Sequence, residues 1–127
     1  MTAVLLDTHA WVWSLQGNPR LSPRAIAAIA DVDTVLVSAI SFFEIAQKVG
    51  QGKWREMLPL VEQLPELLRA QGGSVADFAP ELCIEAGILD WVHRDPFDRL
   101  LAATARRHDV PLVSADAIFD GIVTRIW

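Results

Sequence analysis

Apolar residues fall into short runs separated by longer stretches of helical spacing. Val4-Leu5-Leu6 is a compact apolar run that ends at Asp7, and Thr34-Val35-Leu36-Val37 is a second, β-branched run that leads into Ser38. Runs this short, bounded by polar residues, read as buried strands. Residues 110–113 form a fourth such run after a weaker third at 74–78, and residues 122–127 supply a last one. Between them lie candidate helices. Residues 10–15 are apolar, and Gly17-Asn18-Pro19 breaks the pattern. Ser22-Pro23 opens a helix that continues through residues 25–29, with Ser as the cap and Pro in the first turn. Residues 39–49 form another, closed by Gly50 or Gly52, and residues 54–70 read as one or two helices with Pro59 and Pro65 in first-turn positions. Gly72-Gly73 is a second break and residues 80–89 a further helix. Asp95-Pro96 then starts a helix that runs to about His108, and a short turn or helix follows Asp116. Short strands alternating with helices predict βαβ units around a parallel sheet.

The chain has 127 residues, 52% hydrophobic and 21% charged, which suits one compact domain spanning residues 1–127 and excludes a disordered chain. Residues 1–6 lack the basic start of a targeting segment, and no apolar stretch approaches the roughly 18 residues of a membrane span. Cys83 is the single cysteine, so no intrachain disulfide forms; its apolar neighbours predict a buried structural thiol, and the absence of disulfides fits the cytoplasm. The formal net charge of −5 departs from the basic balance of a general nucleic-acid binder. Any contact with RNA or DNA must be local or depend on metal ions, and part of the acidity can be a clustered site.

Placed on the predicted elements, the carboxylates suggest such a cluster. Asp7 ends the first strand, Glu44 lies in the first turns after the second, Asp98 lies in the first turn of the Asp95-Pro96 helix, and Asp116 follows the fourth strand. Open parallel sheets bind ligands outside the carboxyl ends of their strands. Carboxylates crowded together drive one another toward protonation unless a cation relieves the repulsion, and hard oxygen donors suit Mg²⁺ or Mn²⁺. Phosphodiester hydrolysis without a protein nucleophile is the chemistry such a set supports. Each acid also has a local reading. Asp7 and Asp116 can be turn formers, Ser41-Phe42-Phe43-Glu44 has the form of a capping box, Asp95 is an N-cap, and Asp98 meets a helix dipole.

These same residues carry a family resemblance. Leu5-Leu6-Asp7-Thr8-His9 resembles the opening motif of PIN domains, and Val37-Ser38-Ala39 with Glu44-Ile45-Ala46 and Lys48 resembles their second. The most specific segment is His93-Arg94-Asp95-Pro96-Phe97-Asp98-Arg99-Leu100-Leu101-Ala102-Ala103-Thr104-Ala105, and Leu112-Val113-Ser114-Ala115-Asp116 resembles the last motif, with Ser114 where many members have threonine. The likeness spans nearly the whole chain in the family's order and spacing. It implies a three-layer α/β/α sandwich with a central, mainly parallel sheet. It implies a Mg²⁺- or Mn²⁺-dependent endoribonuclease that cuts RNA with metal-activated water, its catalytic and metal-binding set being Asp7, Glu44, Asp98 and Asp116, with Asp116 in either a direct or an outer role. Small members of this family are toxins of toxin–antitoxin pairs. The resemblance therefore also implies a cognate antitoxin, a homodimer, and promoter DNA bound only through the antitoxin complex.

Lys48, Lys53, Arg55, Arg94 and Arg99 are candidate phosphate contacts, although Lys48 is also an (i, i+4) partner for Glu44. Trp11 and Trp13 are candidates for a dimer or antitoxin contact among the five tryptophans, whose rings can also stack on unpaired bases or pack in the core. Leu58, Val61, Leu64 and Leu68 form either a groove for an antitoxin helix or a core stripe. A phosphatase of another acidic α/β fold fits less well, since Asp7 is followed by Thr8 and His9 rather than by a second Asp two residues on. A catalytically silent PIN-like scaffold that binds a protein or RNA is the remaining alternative.

Overall fold

The computed structural model describes residues 2–127; Met1, part of the leader and domain expectations, lies outside the described residues. Five strands, β1 (Ala3–Leu6), β2 (Thr34–Ser38), β3 (Ser74–Ala76), β4 (Leu112–Val113) and β5 (Arg125–Ile126), form one sheet in the order β3-β2-β1-β4-β5. Every pairing is parallel, with Leu5 opposite both Leu36 and Leu112. The helices are α1 (Thr8–Gln16), α2 (Pro23–Asp31), α3 (Ala39–Gly50), α4 (Leu64–Ala70), α5 (Pro80–Ile88) and α6 (Pro96–His108).

Strand alternation builds the layers. Val4 and Leu6 of β1, Val37 of β2 and Val113 of β4 point to one face, where they pack with Ala10, Trp11, Ala25, Ile45 and Leu68 from α1 to α4. Leu5 and Leu112 point to the other face and meet Leu101, Ala102 and Ala105 of α6. Helix α5 covers α6 through Leu82 and Ala86. Both faces of the central strands are thus buried, which is why β1 reads as an unbroken apolar run rather than an alternating one. The result is the expected three-layer α/β/α architecture. Among the described residues no helix is long and apolar enough to cross a membrane.

Several local expectations need correction. Residues 54–70 do not start as an α-helix. Arg55–Gln63 is a 3₁₀ segment with Pro59 inside it, and α4 begins only at Leu64, with Pro65 in its first turn. A proline tolerates the looser hydrogen bonding of the first segment and would break an α-helix there. This splits the apolar stripe as well: Leu64 and Leu68 are buried while Leu58 is exposed. The Ser41–Glu44 capping box does not form. Ser38 caps α3 by accepting from the Ile40 N–H, and Ser41 lies inside the helix, fully buried, accepting a 2.9 Å hydrogen bond from the Thr8 hydroxyl. Cys83 is exposed, because α5 turns Leu82 and Ala86 inward and the intervening residues outward.

Candidate active site

The sheet changes direction of growth at β1, which pairs with β2 on one side and β4 on the other. Ligand crevices in parallel sheets form at the carboxyl end of such a point. Here the chain leaves β1 through Asp7, which caps α1 by accepting from the Ala10 N–H at 2.8 Å. It leaves β4 through Ser114, whose buried hydroxyl accepts from the Asp116 N–H at 3.1 Å and acts to lower the pKa of the Asp7 carboxyl. Asp116 in turn caps the 3₁₀ turn Ala117–Phe119. Asp98 sits in the first turn of α6, where Asp95 is the cap and accepts from the Asp98 N–H at 3.0 Å. Glu44 comes from the second turn of α3.

A cleft of about 500 Å³ opens there, and Asp7, Glu44, Asp98 and Asp116 all line it, with Thr8, His9, Trp13 and Arg20. A larger concavity, about 760 Å³, lies toward the opposite sheet edge around Asp109–Pro111 and residues 121–124, and of the four acids it holds none. The acids of the cleft feel one another. Burial pushes the Asp7 carboxyl up from 3.8 to about 6; the charges of Asp98 and Glu44 add to this, while Ser114 and the Ala10 N–H oppose it. Asp98 is raised too, first by burial and then by Asp95 and Asp116, against the hydrogen bond from His93.

Each acid has a protein partner. His93 Nε2 lies 2.6 Å from Asp98 Oδ2; an ionised carboxylate only accepts, so that ring nitrogen carries the proton. Lys48 Nζ lies 3.8 Å from Glu44. As placed, and among the described residues, no three His, Cys, Asp or Glu side chains stand close enough to hold a metal ion jointly. The donor chemistry does fit one: four carboxylates in one cleft, one of them held half-protonated near pH 6, are hard oxygen ligands short of positive charge.

The sequence and the fold are matched by known proteins. The family model for the PIN domain aligns with residues 4–123. The chain belongs to the PIN-domain family. Among curated relatives, Ribonuclease VapC22 of Mycobacterium tuberculosis is 35% identical over 119 residues, covering 91% of this PIN domain's chain and 88% of its own. Among solved structures, VapBC2 from Rickettsia felis bound to a fragment of its promoter DNA superposes with a TM-score of 0.71 at 17% identity, covering 98% of this chain and 97% of that one. A toxin–antitoxin complex from Klebsiella pneumoniae gives 0.69 at 20% identity, covering 98% and 96%. These two structural likenesses speak for the fold of this PIN domain.

Two side chains of the site differ from the sequence expectations. Arg99 is not a phosphate contact. It is 5% exposed, and its guanidinium donates to the carbonyls of Ala86, Gly87, Leu89, Trp91 and His93 at 2.5–3.2 Å, so every N–H it has is used inside the protein. It fixes the connection between α5 and α6, and with it His93. Trp11 is not a surface contact either: its ring is fully buried against Phe42, and its indole N–H donates to Gln71 at 2.9 Å. Sequence reasoning missed Arg20, the cationic side chain among those that line the cleft, and His93 as the partner of Asp98. Arg20 follows a Gly-Asn-Pro break with nothing local to mark it. His93 lies in the most specific motif, five residues before Asp98, and its motif membership was the available signal.

Proposed function

We propose that this chain is a divalent-metal-dependent endoribonuclease and the toxin of a toxin–antitoxin pair. The observation that carries the reading is the single cleft lined by Asp7, Glu44, Asp98 and Asp116, contributed by the ends of two strands, the second turn of α3 and the first turn of α6. The relative named as a ribonuclease supports the reaction, and the neighbours solved as toxin–antitoxin complexes support the partner. RNA is the substrate, and the whole chain acts as one PIN domain in the cytoplasm. A cognate antitoxin covers the cleft, two copies form a homodimer, and promoter DNA is reached only through the antitoxin complex.

Asp7, Glu44, Asp98 and Asp116 would hold Mg²⁺ or Mn²⁺. A bound cation supplies the Lewis acidity that offsets charge on the attacked phosphate and activates water. The protein's own groups prepare the place. The Asp7 N–H donates to the Val113 carbonyl at 3.1 Å and Ser114 holds the Asp116 N–H, so the carboxyl ends of β1 and β4 stay in register. His93 and Lys48 hold Asp98 and Glu44 in one orientation each, which lowers the entropy lost when the acids become ligands. Four acids without a cation repel a phosphodiester, so RNA enters productively only with metal.

The test is cleavage of a mixed RNA pool by purified protein with Mn²⁺ or Mg²⁺, beside EDTA and Asp98→Asn controls. Cutting that is lost in both controls is expected. Folded wild-type protein that neither cuts nor binds Mn²⁺ in a titration would favour a catalytically silent scaffold instead.

A further inference from the structure

The wall of the cleft facing the acids is aromatic. His9 and Trp13 line the cleft with Asp7 and Glu44. The exposed His9 ring is braced from two sides: Trp54 meets it edge-on with centroids 5.1 Å apart, and Trp13 lies 5.6 Å away. Trp13 is backed by Trp127 at 5.8 Å. Lys48 Nζ sits 4.5 Å from the centre of the Trp54 ring, so one cation steadies both Trp54 and Glu44.

Trp54 adopts this position at a conformational cost. Its φ is +46°, in the left-handed region that bulky residues rarely enter. Such strain persists only where surrounding contacts enforce it, and it concentrates at binding sites. Here the strained turn places an indole at the edge of the main core, where it also meets His9. The cation among the cleft's lining residues, Arg20, shares that lining with His9 and Trp13.

A phosphodiester presented to the acids carries a base on each flanking nucleotide. Every base has a flat face that stacks on an aromatic ring, and a ring already immobilised gives up little entropy in receiving it. The geometry points to His9, backed by Trp54 and Trp13, as a stacking platform for an unpaired base next to the scissile phosphate of RNA, with Arg20 placed for a neighbouring phosphate. This rests on the ribonuclease reading and adds a specificity-determining wall to it: single-stranded or looped RNA is accepted and continuous duplex, whose bases are already stacked, is refused.

The test separates base stacking from phosphate attraction and from catalysis. In the non-cleaving Asp98→Asn background with Mg²⁺, binding of a fluorescein-labelled, mixed-sequence single-stranded oligoribonucleotide is followed by anisotropy, beside an abasic oligomer of the same length. The platform predicts about tenfold preference for the base-bearing oligomer. His9→Ala, at an exposed position that leaves the core intact, removes that preference; His9→Phe restores it; Trp54→Leu weakens it. In the cleaving protein the same His9→Ala change raises KM by a similar factor with kcat little altered. If His9→Ala leaves both the preference and KM unchanged while wild-type protein still cuts RNA, the platform is refuted and the nuclease reading stands. If wild-type protein neither cuts nor binds any oligomer, both fall together.

Discussion

Replacing Asp7 by Asn removes a charge that the metal-free fold carries at a loss. The Asp7 carboxyl rises from 3.8 to about 6 because burial, then Asp98 and Glu44, disfavour its ionised form. For an acid whose folded pKa is raised, the native state binds the proton more tightly than the unfolded chain. The associated stability is full below about pH 3.8 and is lost as pH climbs through 6. At pH 7.5 the loss is complete and amounts to about 3 kcal/mol, since each pKa unit is worth about 1.4 kcal/mol. At pH 5 it is about half that. Asn has the shape of Asp and keeps an oxygen for the Ala10 N–H, so little else changes. The expected outcome in EDTA at pH 7.5 is a melting temperature roughly 10 °C above wild type, with the gap narrowing by roughly half at pH 5. Adding Mn²⁺ raises the wild-type melting temperature and leaves Asp7→Asn little changed, because the cation needs the charge that the substitution deletes. Thermal unfolding by circular dichroism across pH 5–8 reads all of this. Identical melting curves for the two proteins in EDTA at every pH would refute the claim that the acids of the cleft are in electrostatic conflict.

Two further predictions concern the scaffold. Arg99→Met leaves five backbone carbonyls without their donor and is expected to cost about 3–5 kcal/mol in urea denaturation; Arg99→Lys, with three donors for five acceptors, recovers only part of it. Gly73→Ala places a Cβ 2.8 Å from the Val35 carbonyl oxygen and 2.5 Å from Leu68 Cδ1, so a backbone must move, and a loss of about 1–3 kcal/mol is expected in the same assay.

The elements best read from sequence are those whose signal is local. Val4–Leu6 is buried on both faces, which an unbroken apolar run satisfies, while Val35 and Val37 of β2 are buried and Leu36 between them is half-buried. Ser22-Pro23 and Asp95-Pro96 are caps whose function is complete within four residues, and both hold as expected. The failures share the opposite cause. Ser41 has the spacing of a capping box, but the backbone donors it would satisfy are already inside α3, and a partner 33 residues away, Thr8, takes its hydroxyl. Cys83 has apolar neighbours in sequence, yet on a helix those neighbours occupy different faces, and only the position of α6 decides which face is inward.

The acids of the site were legible because topology, not side-chain detail, assembles them: a parallel sheet delivers the residues after β1 and β4 to one edge whatever their neighbours are. The cations were not legible, and the reason is geometric. A guanidinium in sequence next to Asp98 looks like a phosphate contact, but residues one apart on a helix point about 100° away from each other. With Asp98 facing the cleft, Arg99 must face elsewhere, and here that direction is the α5–α6 connection, whose carbonyls have no helix or strand to pair them. The arginine beside Asp98 therefore acts on the cleft at one remove. It holds the carbonyl of His93, and the His93 ring holds Asp98. Substituting Arg99 should then blunt the cleft through Asp98 as well as weaken the fold, whereas Arg20, which no motif marks, should affect substrate alone.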